Sequence, residues 1–188
     1  MNYNKYKDAR NAAWRILIDE RIKELPVPIV KICRDLDISV KVNTALRNKV
    51  NSGQSMIIND KAFVFVAPDC PNHRLRFTVA HELGHIVLGH VGKYDLVNRE
   101  PSPNDNPIEQ EANVFASRIL APACVLWGLR VSSAKEISDL CDISLSAATS
   151  RFERYQLLLK RDQFLTSPLE QEVYDLFSDF IQAHQASD

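Results

Sequence analysis

The sequence predicts an α+β fold, in which a small antiparallel or mixed sheet packs on a central helix and additional helices lie at both ends of the chain. Two observations carry this prediction. Segments of helical periodicity begin the chain and fill its second half, whereas short strand-like segments fall between residues 38 and 68. The central helix follows these strands and carries the run RFTVAHELGHIVLGH, residues 76–90.

The elements can be assigned in order along the chain. The helical periodicity predicts two helices separated by LPVP, at residues 5–24 and about 28–36. ISVKVN predicts a strand, and SMIIND and KAFVFVAP predict two more that meet at Asn59-Asp60, a hairpin-type junction. After the central helix, we expect a helix from Pro107 to about Leu120, two helices within 134–161, and a last helix whose capping box contains Ser167 and Glu170.

Composition excludes several classes of protein. The net charge of the 188 residues is −1, which offers no strong attraction to nucleic acid or to a membrane surface. No apolar run is long enough to span a bilayer, so we expect a cytoplasmic protein without membrane contacts. The four cysteines form no Cys-x-x-Cys pair, which argues against a disulfide framework and a thiolate zinc ribbon.

The central run contains the pattern His-Glu-x-x-His, formed by His81, Glu82 and His85. Four residues advance an α-helix by roughly 400°, so the two histidines lie on one face and can bind one Zn²⁺ at about 2.0–2.1 Å. Glu82 projects beside the metal, where it can take a proton from the attacking water. Gly84 costs about 1 kcal/mol in a helix relative to Ala, which close approach of another backbone or a ligand would explain. The pattern predicts one zinc ion per chain.

Two histidines leave a zinc ion without the third protein ligand that a hydrolytic site needs. His90 follows His85 by five positions, and on a continuous helix it turns about 140° away, so we expect a polar residue at the helix C-terminus. Glu109 and Asn113 are four positions apart and share a helix face. We predict Glu109 as the third ligand and Asn113 as its neighbour that accepts a hydrogen bond from a ligating histidine. Glu111 points about 200° away from Glu109.

Helix capping is the competing explanation for Glu109. Asn106, Pro107 and Glu109 fit an N-cap residue, a first-turn proline and an N3 glutamate. Capping does not account for Asn113, which is a mediocre helix former at an interior position. The two residues together therefore favour a metal site.

Two segments of the sequence resemble a known family. The similarity is to the ImmA/IrrE family of zinc metallopeptidases, and it is carried by RLRFTVAHELGHIVLGH followed by EQEANVFASRILAP. Weaker similarity extends over residues from about 9 to 160. The resemblance implies a zincin-like core and a gluzincin-like site with Glu109 as third ligand. It implies a bacterial or mobile-element protein of the short ImmA-like form, whose substrate is a helix-turn-helix (XRE-type) repressor encoded nearby. Cleavage of that repressor would release transcription.

This resemblance suggests three parts of the chain. We expect a zincin-like metallopeptidase core at residues 1–125 and a helical segment similar to a helix-turn-helix, packed on the core, at residues 126–162. A C-terminal helix would occupy residues 163–188.

The predicted reaction is peptide-bond hydrolysis by a zinc-dependent endopeptidase. Glu82 deprotonates the attacking water and later returns the proton to the leaving amine. The strand AFVFV could pair with an extended protein substrate by β-augmentation. Tyr94, His90 and Arg76 are candidates for stabilising the oxyanion, and the sequence does not choose among them.

Two alternatives use the same chain differently. Residues 134–157 fit a helix-turn-helix with Arg151 and Arg154 on its second helix, which would suit a DNA-binding or non-proteolytic regulator of transcription. Neighbouring acidic residues dilute that charge, so direct DNA binding is disfavoured. The other alternative is a toxin-like or maturation protease with a different protein substrate.

Overall fold

The computed structural model describes residues 6–47, 53–92 and 106–186. It has the predicted α+β fold, with helices on either side of a three-stranded sheet in the order of the chain. The described residues form two compact units. The first comprises those of Met1–Ala12 and Pro28–Ala116, and the second those of Ala13–Val27 and Ser117–Asp188.

The first unit contains the sheet and the central helix. The chain begins with α1 (Lys7–Asp19), whose first residues belong to this unit, and continues with α2 (Ile29–Asp35). The elements that follow are β1 (Ser39–Val42), a 3₁₀ turn at Thr44–Leu46, β2 (Gly53–Ile58), β3 (Lys61–Val66), α3 (Asn72–Val87) and the greater part of α4 (Pro107–Leu120). Each of these corresponds to a predicted element, apart from the 3₁₀ turn.

The strand order of the sheet is β1-β3-β2. β3 pairs in parallel with β1 and antiparallel with β2, so both of its edges are occupied. The prediction that the AFVFV segment of β3 pairs with a substrate is therefore wrong, because an added strand needs a free edge. β2 is an edge strand of this three-stranded sheet and lies against α3.

The hairpin between β2 and β3 is confirmed. Asn59 and Asp60 form its two-residue connection, with φ values of 48° and 61°. Positive φ at both positions is the requirement of a type I′ turn, which matches the twist of the flanking strands and favours Asn and Asp.

One face of the hairpin packs against α3. Gly53 and Ser55 of β2 are buried and lie directly opposite the buried Val66 and Val64 of β3. Alternating side chains of a strand point to opposite faces, so these four positions share one face. That face lies against α3, where Gly53 is next to Thr78 and Glu82 and Ser55 bonds to Glu82. Burial of this face fixes the register that brings β2 to the central helix.

The second unit is helical. Besides the ends of α1 and α4, its helices are α5 (Ala123–Gly128), α6 (Ala134–Cys141), α7 (Leu145–Lys160), α8 (Pro168–Leu176) and α9 (Ser178–Gln185). The sequence predicted α6 and α7, and it placed the N-cap of α8 correctly at Ser167. Ser144 is the N-cap of α7, as its place just before the second predicted helix suggests. It missed α5, which is only six residues long, and it treated α8 and α9 as one helix. The break falls at Phe177, whose N–H is shared between the carbonyls of Val173 and Tyr174.

A buried arginine joins two parts of the second unit. Arg151 on α7 is 2% exposed, and its Nε donates a hydrogen bond of 2.7 Å to the carbonyl oxygen of Ala121. This bond holds the α4–α5 junction against α7. Its burial means that Arg151 presents no side-chain surface for a phosphate contact. Within the described parts of the chain, no helix has both the length and the apolar character needed to cross a bilayer.

Candidate metal centre

Three predicted side chains converge between α3 and α4. Nε2 of His81 lies 3.1 Å from Nε2 of His85 and 3.1 Å from Oε2 of Glu109. Nε2 of His85 lies 3.4 Å from Oε1 of Glu109. Glu109 is the N3 residue of α4, whose N-cap Asn106 accepts a hydrogen bond from the N–H of Ile108. Glu109 therefore lies in the first turn of a capped helix, and its carboxylate belongs to the cluster.

The cluster has the dimensions of a zinc site. Two ligands at about 2.0–2.1 Å from a tetrahedral Zn²⁺ lie roughly 3.3 Å apart, which is close to the three separations between His81, His85 and Glu109. Their ligand atoms all lie within 4.8 Å of one another. Two imidazole nitrogens and one carboxylate are also a donor set that zinc accepts. The residues present thus fit a bound metal ion.

Asn113 contacts the outer nitrogen of His81. Nδ1 of His81 and Oδ1 of Asn113 are 2.9 Å apart. If Nδ1 donates this hydrogen bond, Nε2 of His81 carries the lone pair and faces the cluster. A metal-ligating histidine commonly has such a partner, which sets the tautomer and the ring orientation. The structure therefore places Asn113 where the sequence predicts it.

The predicted position of His90 is wrong. α3 ends at Val87, and Gly89 adopts a left-handed conformation with φ 68°. The N–H of His90 bonds to the carbonyl of His85, and the N–H of Gly89 to that of Ile86. These two bonds form a Schellman motif, which folds the residue after the glycine back over the last turn. His90 therefore packs on His85, with Nδ1–Nδ1 3.1 Å, instead of turning away.

Glu82 points toward the sheet from its position beside His81. Its Oε2 accepts a hydrogen bond of 2.7 Å from Oγ of Ser55, and both residues are 3% exposed. Gly53 permits this approach of β2, because a Cβ at that position would lie 2.3 Å from Cγ2 of Thr78 and 3.1 Å from Cγ of Glu82. Sequence reasoning missed Ser55 and Gly53, since the alternation of a strand shows which residues share a face but not what they meet.

Gly84 is explained by a side chain of α4. A Cβ at Gly84 would lie 3.0 Å from Cδ1 of Phe115 and 3.2 Å from its Cβ. The predicted close approach is therefore real, but the approaching group is an aromatic ring, not a backbone or a ligand. The absence of a side chain at Gly84 brings α4, with Glu109 and Asn113, close to the histidines of α3.

The candidate oxyanion residues are in three different situations. His90 contacts His85 and, through Nε2, Oε2 of Glu111 at 3.1 Å. Arg76 lies on α3, five positions before His81, which places it about 140° round the helix. Tyr94 lies outside the described residues. An oxyanion role for any of them stays a prediction.

The electrostatics favour a charged Glu109. Side-chain hydrogen bonding with His81 and His85, in the protein without a bound metal ion, holds the pKa of the Glu109 carboxyl well below its ordinary value, against the opposing effect of burial. Burial lowers the pKa of His90, and the hydrogen bond with Glu111 opposes that shift. The carboxylate is the form of Glu109 that binds a metal ion.

The fold and the cluster together define an α+β domain with a candidate metal site, formed by two histidines on one helix and a glutamate on another. The chain belongs to the peptidase M78 family, whose model, described as an IrrE N-terminal-like domain, matches residues 35–153. This match covers the sheet, both helices of the cluster and α6, so the chain contains a metallopeptidase-type domain. The comparison with curated proteins found no match to this sequence.

Proposed function

We propose that this protein is a zinc-dependent endopeptidase that cleaves a helix-turn-helix repressor of the XRE type in the cytoplasm. The observation that carries the proposal is the convergence of His81, His85 and Glu109 beside a buried Glu82. Membership of a peptidase family supports the class of reaction. The repressor substrate and the resulting control of transcription rest on the resemblance to ImmA/IrrE proteins.

In this proposal, the residues of the cluster divide into two roles. His81, His85 and Glu109 would hold the zinc ion, which when bound polarises the scissile carbonyl and makes the attacking water more acidic. Glu82 accepts the proton of that water through the carboxylate and then delivers it to the leaving amine. Ser55 holds Oε2 of Glu82 in place by donating its hydroxyl hydrogen, which restricts the carboxylate to one orientation.

The substrate would bind as an extended strand along β2. β2 is an edge strand, and its inward face contacts Glu82 through Ser55. A peptide added to this edge would receive main-chain hydrogen bonds and would run past the general base. This assignment replaces β3, whose two edges are paired.

DNA binding is the second candidate function, and the structure offers it little support. α6 and α7 do form a helix-turn-helix-like pair, with Asp142 in the left-handed conformation that ends α6. However, Arg151 is buried, which removes one of the two arginines expected to reach a phosphate. A filter-binding titration with salt tests this candidate, since a DNA contact of this kind weakens as salt rises.

The test of the proposed function uses purified protein, zinc and a helix-turn-helix repressor found to be encoded beside its gene. The wild type should cleave the repressor, and a chelator should stop the cleavage. The Glu82→Gln variant keeps the shape of the side chain but loses the base, so it should bind zinc normally and cleave at least about 100-fold more slowly. Cleavage by Glu82→Gln at the wild-type rate would show that Glu82 is not the base. A wild-type protein that does not bind zinc would contradict the proposed metal site.

A further inference from the structure

We propose that His90 and Glu111 position the zinc ligand His85 through a directed chain of hydrogen bonds. This inference rests on the proposed metal site and adds two residues to it. The chain runs from Nδ1 of His85 to Nδ1 of His90 at 3.1 Å, and from Nε2 of His90 to Oε2 of Glu111 at 3.1 Å.

Only one arrangement of protons satisfies these contacts together with a metal. Nε2 of His85 faces His81 and Glu109, so it must keep its lone pair for the metal and Nδ1 must carry the hydrogen. That hydrogen needs an acceptor, which is Nδ1 of His90. A His90 that accepts at Nδ1 carries its own hydrogen on Nε2, and the Glu111 carboxylate accepts that hydrogen. Every donor in the chain then meets an acceptor.

The burial of these residues supports a role beyond a chance contact. The side chain of His85 is 4% exposed and that of His90 is 9% exposed, whereas Glu111 is 34% exposed. The hydrogen-bond chain therefore starts at a buried imidazole and ends at a carboxylate that water can solvate. Desolvation strengthens the inner hydrogen bond, while the outer charge remains hydrated.

The backbone holds this contact independently of the side chains. The Schellman motif at Gly89 bonds the N–H of His90 to the carbonyl of His85, so the two rings are brought together at 5.2 Å between centroids. α4 supplies both Glu109, which faces the cluster, and Glu111, which reaches His90. One helix thus provides a metal ligand, Glu109, and also Glu111, the last acceptor of the hydrogen bonds that orient His85.

His90 and Glu111 are not additional ligands in this proposal. His90 lies at the Nδ1 side of His85, across the ring from the Nε2 that faces Glu109. Among the residues that the structure describes, the group able to hold a metal consists of His81, His85 and Glu109. The two residues are positioning residues, and their removal should weaken zinc binding without abolishing it.

The test compares three substitutions by zinc affinity, measured in competition with a chromophoric chelator. His90→Leu introduces an apolar side chain of similar size and interrupts the hydrogen-bond chain. This variant should bind zinc about 10–100-fold more weakly than the wild type. His90→Gln offers one acceptor and one donor, so it should recover most of that loss. Glu111→Ala should fall between the two, and the exposed Glu172→Ala on α8 serves as the matched control.

A second readout observes the protons directly. Long-range ¹H–¹⁵N spectra of the zinc-loaded wild type should show His85 protonated at Nδ1 and His90 protonated at Nε2 alone. Wild-type affinity in His90→Leu, or a hydrogen on Nδ1 of His90, overturns the inference while leaving the metal site intact. A wild type that binds no zinc overturns the proposed function, and this inference with it.

Discussion

Buried polar groups have different surroundings in the two units. In the first unit, Glu82 and His85 are each 3% exposed, and each meets a hydrogen-bonding partner, Ser55 for the carboxylate and His90 for the imidazole. In the second unit, Arg151 is 2% exposed, and among the described residues its Nη1 and Nη2 atoms have no hydrogen-bond partner. An unsatisfied buried polar atom costs about 1–3 kcal/mol.

This difference separates two uses of burial. The buried polar groups of the first unit compared here are each satisfied by a side-chain partner, which is the arrangement of a preorganised site. Arg151 uses Nε for a structural bond to Ala121 and contributes the apolar part of its side chain to the core. We therefore expect substitutions in the first unit to change metal binding and catalysis, and substitutions at Arg151 to change stability.

The largest effect is expected at Glu109. Glu109→Ala removes a charged ligand from the cluster, so zinc affinity should fall well beyond the about 10–100-fold that loss of a supporting residue causes. Chelator competition measures this fall, with Glu172→Ala as the matched acidic control. Near-normal zinc affinity in Glu109→Ala would mean that another residue supplies the third ligand, and the contrast between the units would lose its basis.

The next effect concerns the second unit. Arg151→Ala leaves a cavity in a core that includes Cys124 and Cys141, both fully buried, and should lower the free energy of unfolding by about 2–5 kcal/mol. Arg151→Met fills most of that space and removes the unpaired nitrogens, so its change should stay within about 1.5 kcal/mol. Urea titration measures both, and neither variant should alter zinc affinity. Equal destabilisation by both would show that the guanidinium has a partner, such as ordered water.

The sequence predicted the parts of the site that follow from local spacing. His81 and His85 share a face because they are four residues apart on a helix, and Glu109 and Asn113 follow the same rule on α4. The sequence did not predict the contact of His90, because the helical argument assumed that α3 continues past Gly89. Gly89 was the signal that could have corrected it, since glycine is favoured just beyond a helix end.

The same spacing rules do not predict contacts between separate helices and strands. Neither the central position of β3 nor the bond from Ser55 to Glu82 follows from periodicity, because each depends on how separate segments pair and pack. Short α5 and the break at Phe177 were missed because a helix of one or two turns leaves too few repeats for a periodic pattern.

A smaller effect is expected at the contact between β2 and α3. In Gly53→Ala the new Cβ would lie 2.3 Å from Cγ2 of Thr78, so the strand must shift, with a loss of about 1–3 kcal/mol in the free energy of unfolding. Thr78→Ser removes Cγ2 and keeps the hydroxyl. The double variant should therefore recover part of the loss, and an additive result in the urea titration would show that Thr78 is not the obstructing group.

The smallest effect is expected at Ser55, and it tests whether the satisfied polar groups of the first unit serve catalysis. Ser55→Ala removes the hydrogen bond to Oε2 of Glu82, so the carboxylate loses its fixed orientation. We expect kcat for the cleaved substrate to fall about 10-fold, equivalent to about 1.4 kcal/mol, with KM and zinc affinity unchanged. Gln54→Ala, on the same strand but the opposite face, is the control. An unchanged kcat in Ser55→Ala would assign this bond to packing of β2 on α3, and the first unit would then resemble the second at this position.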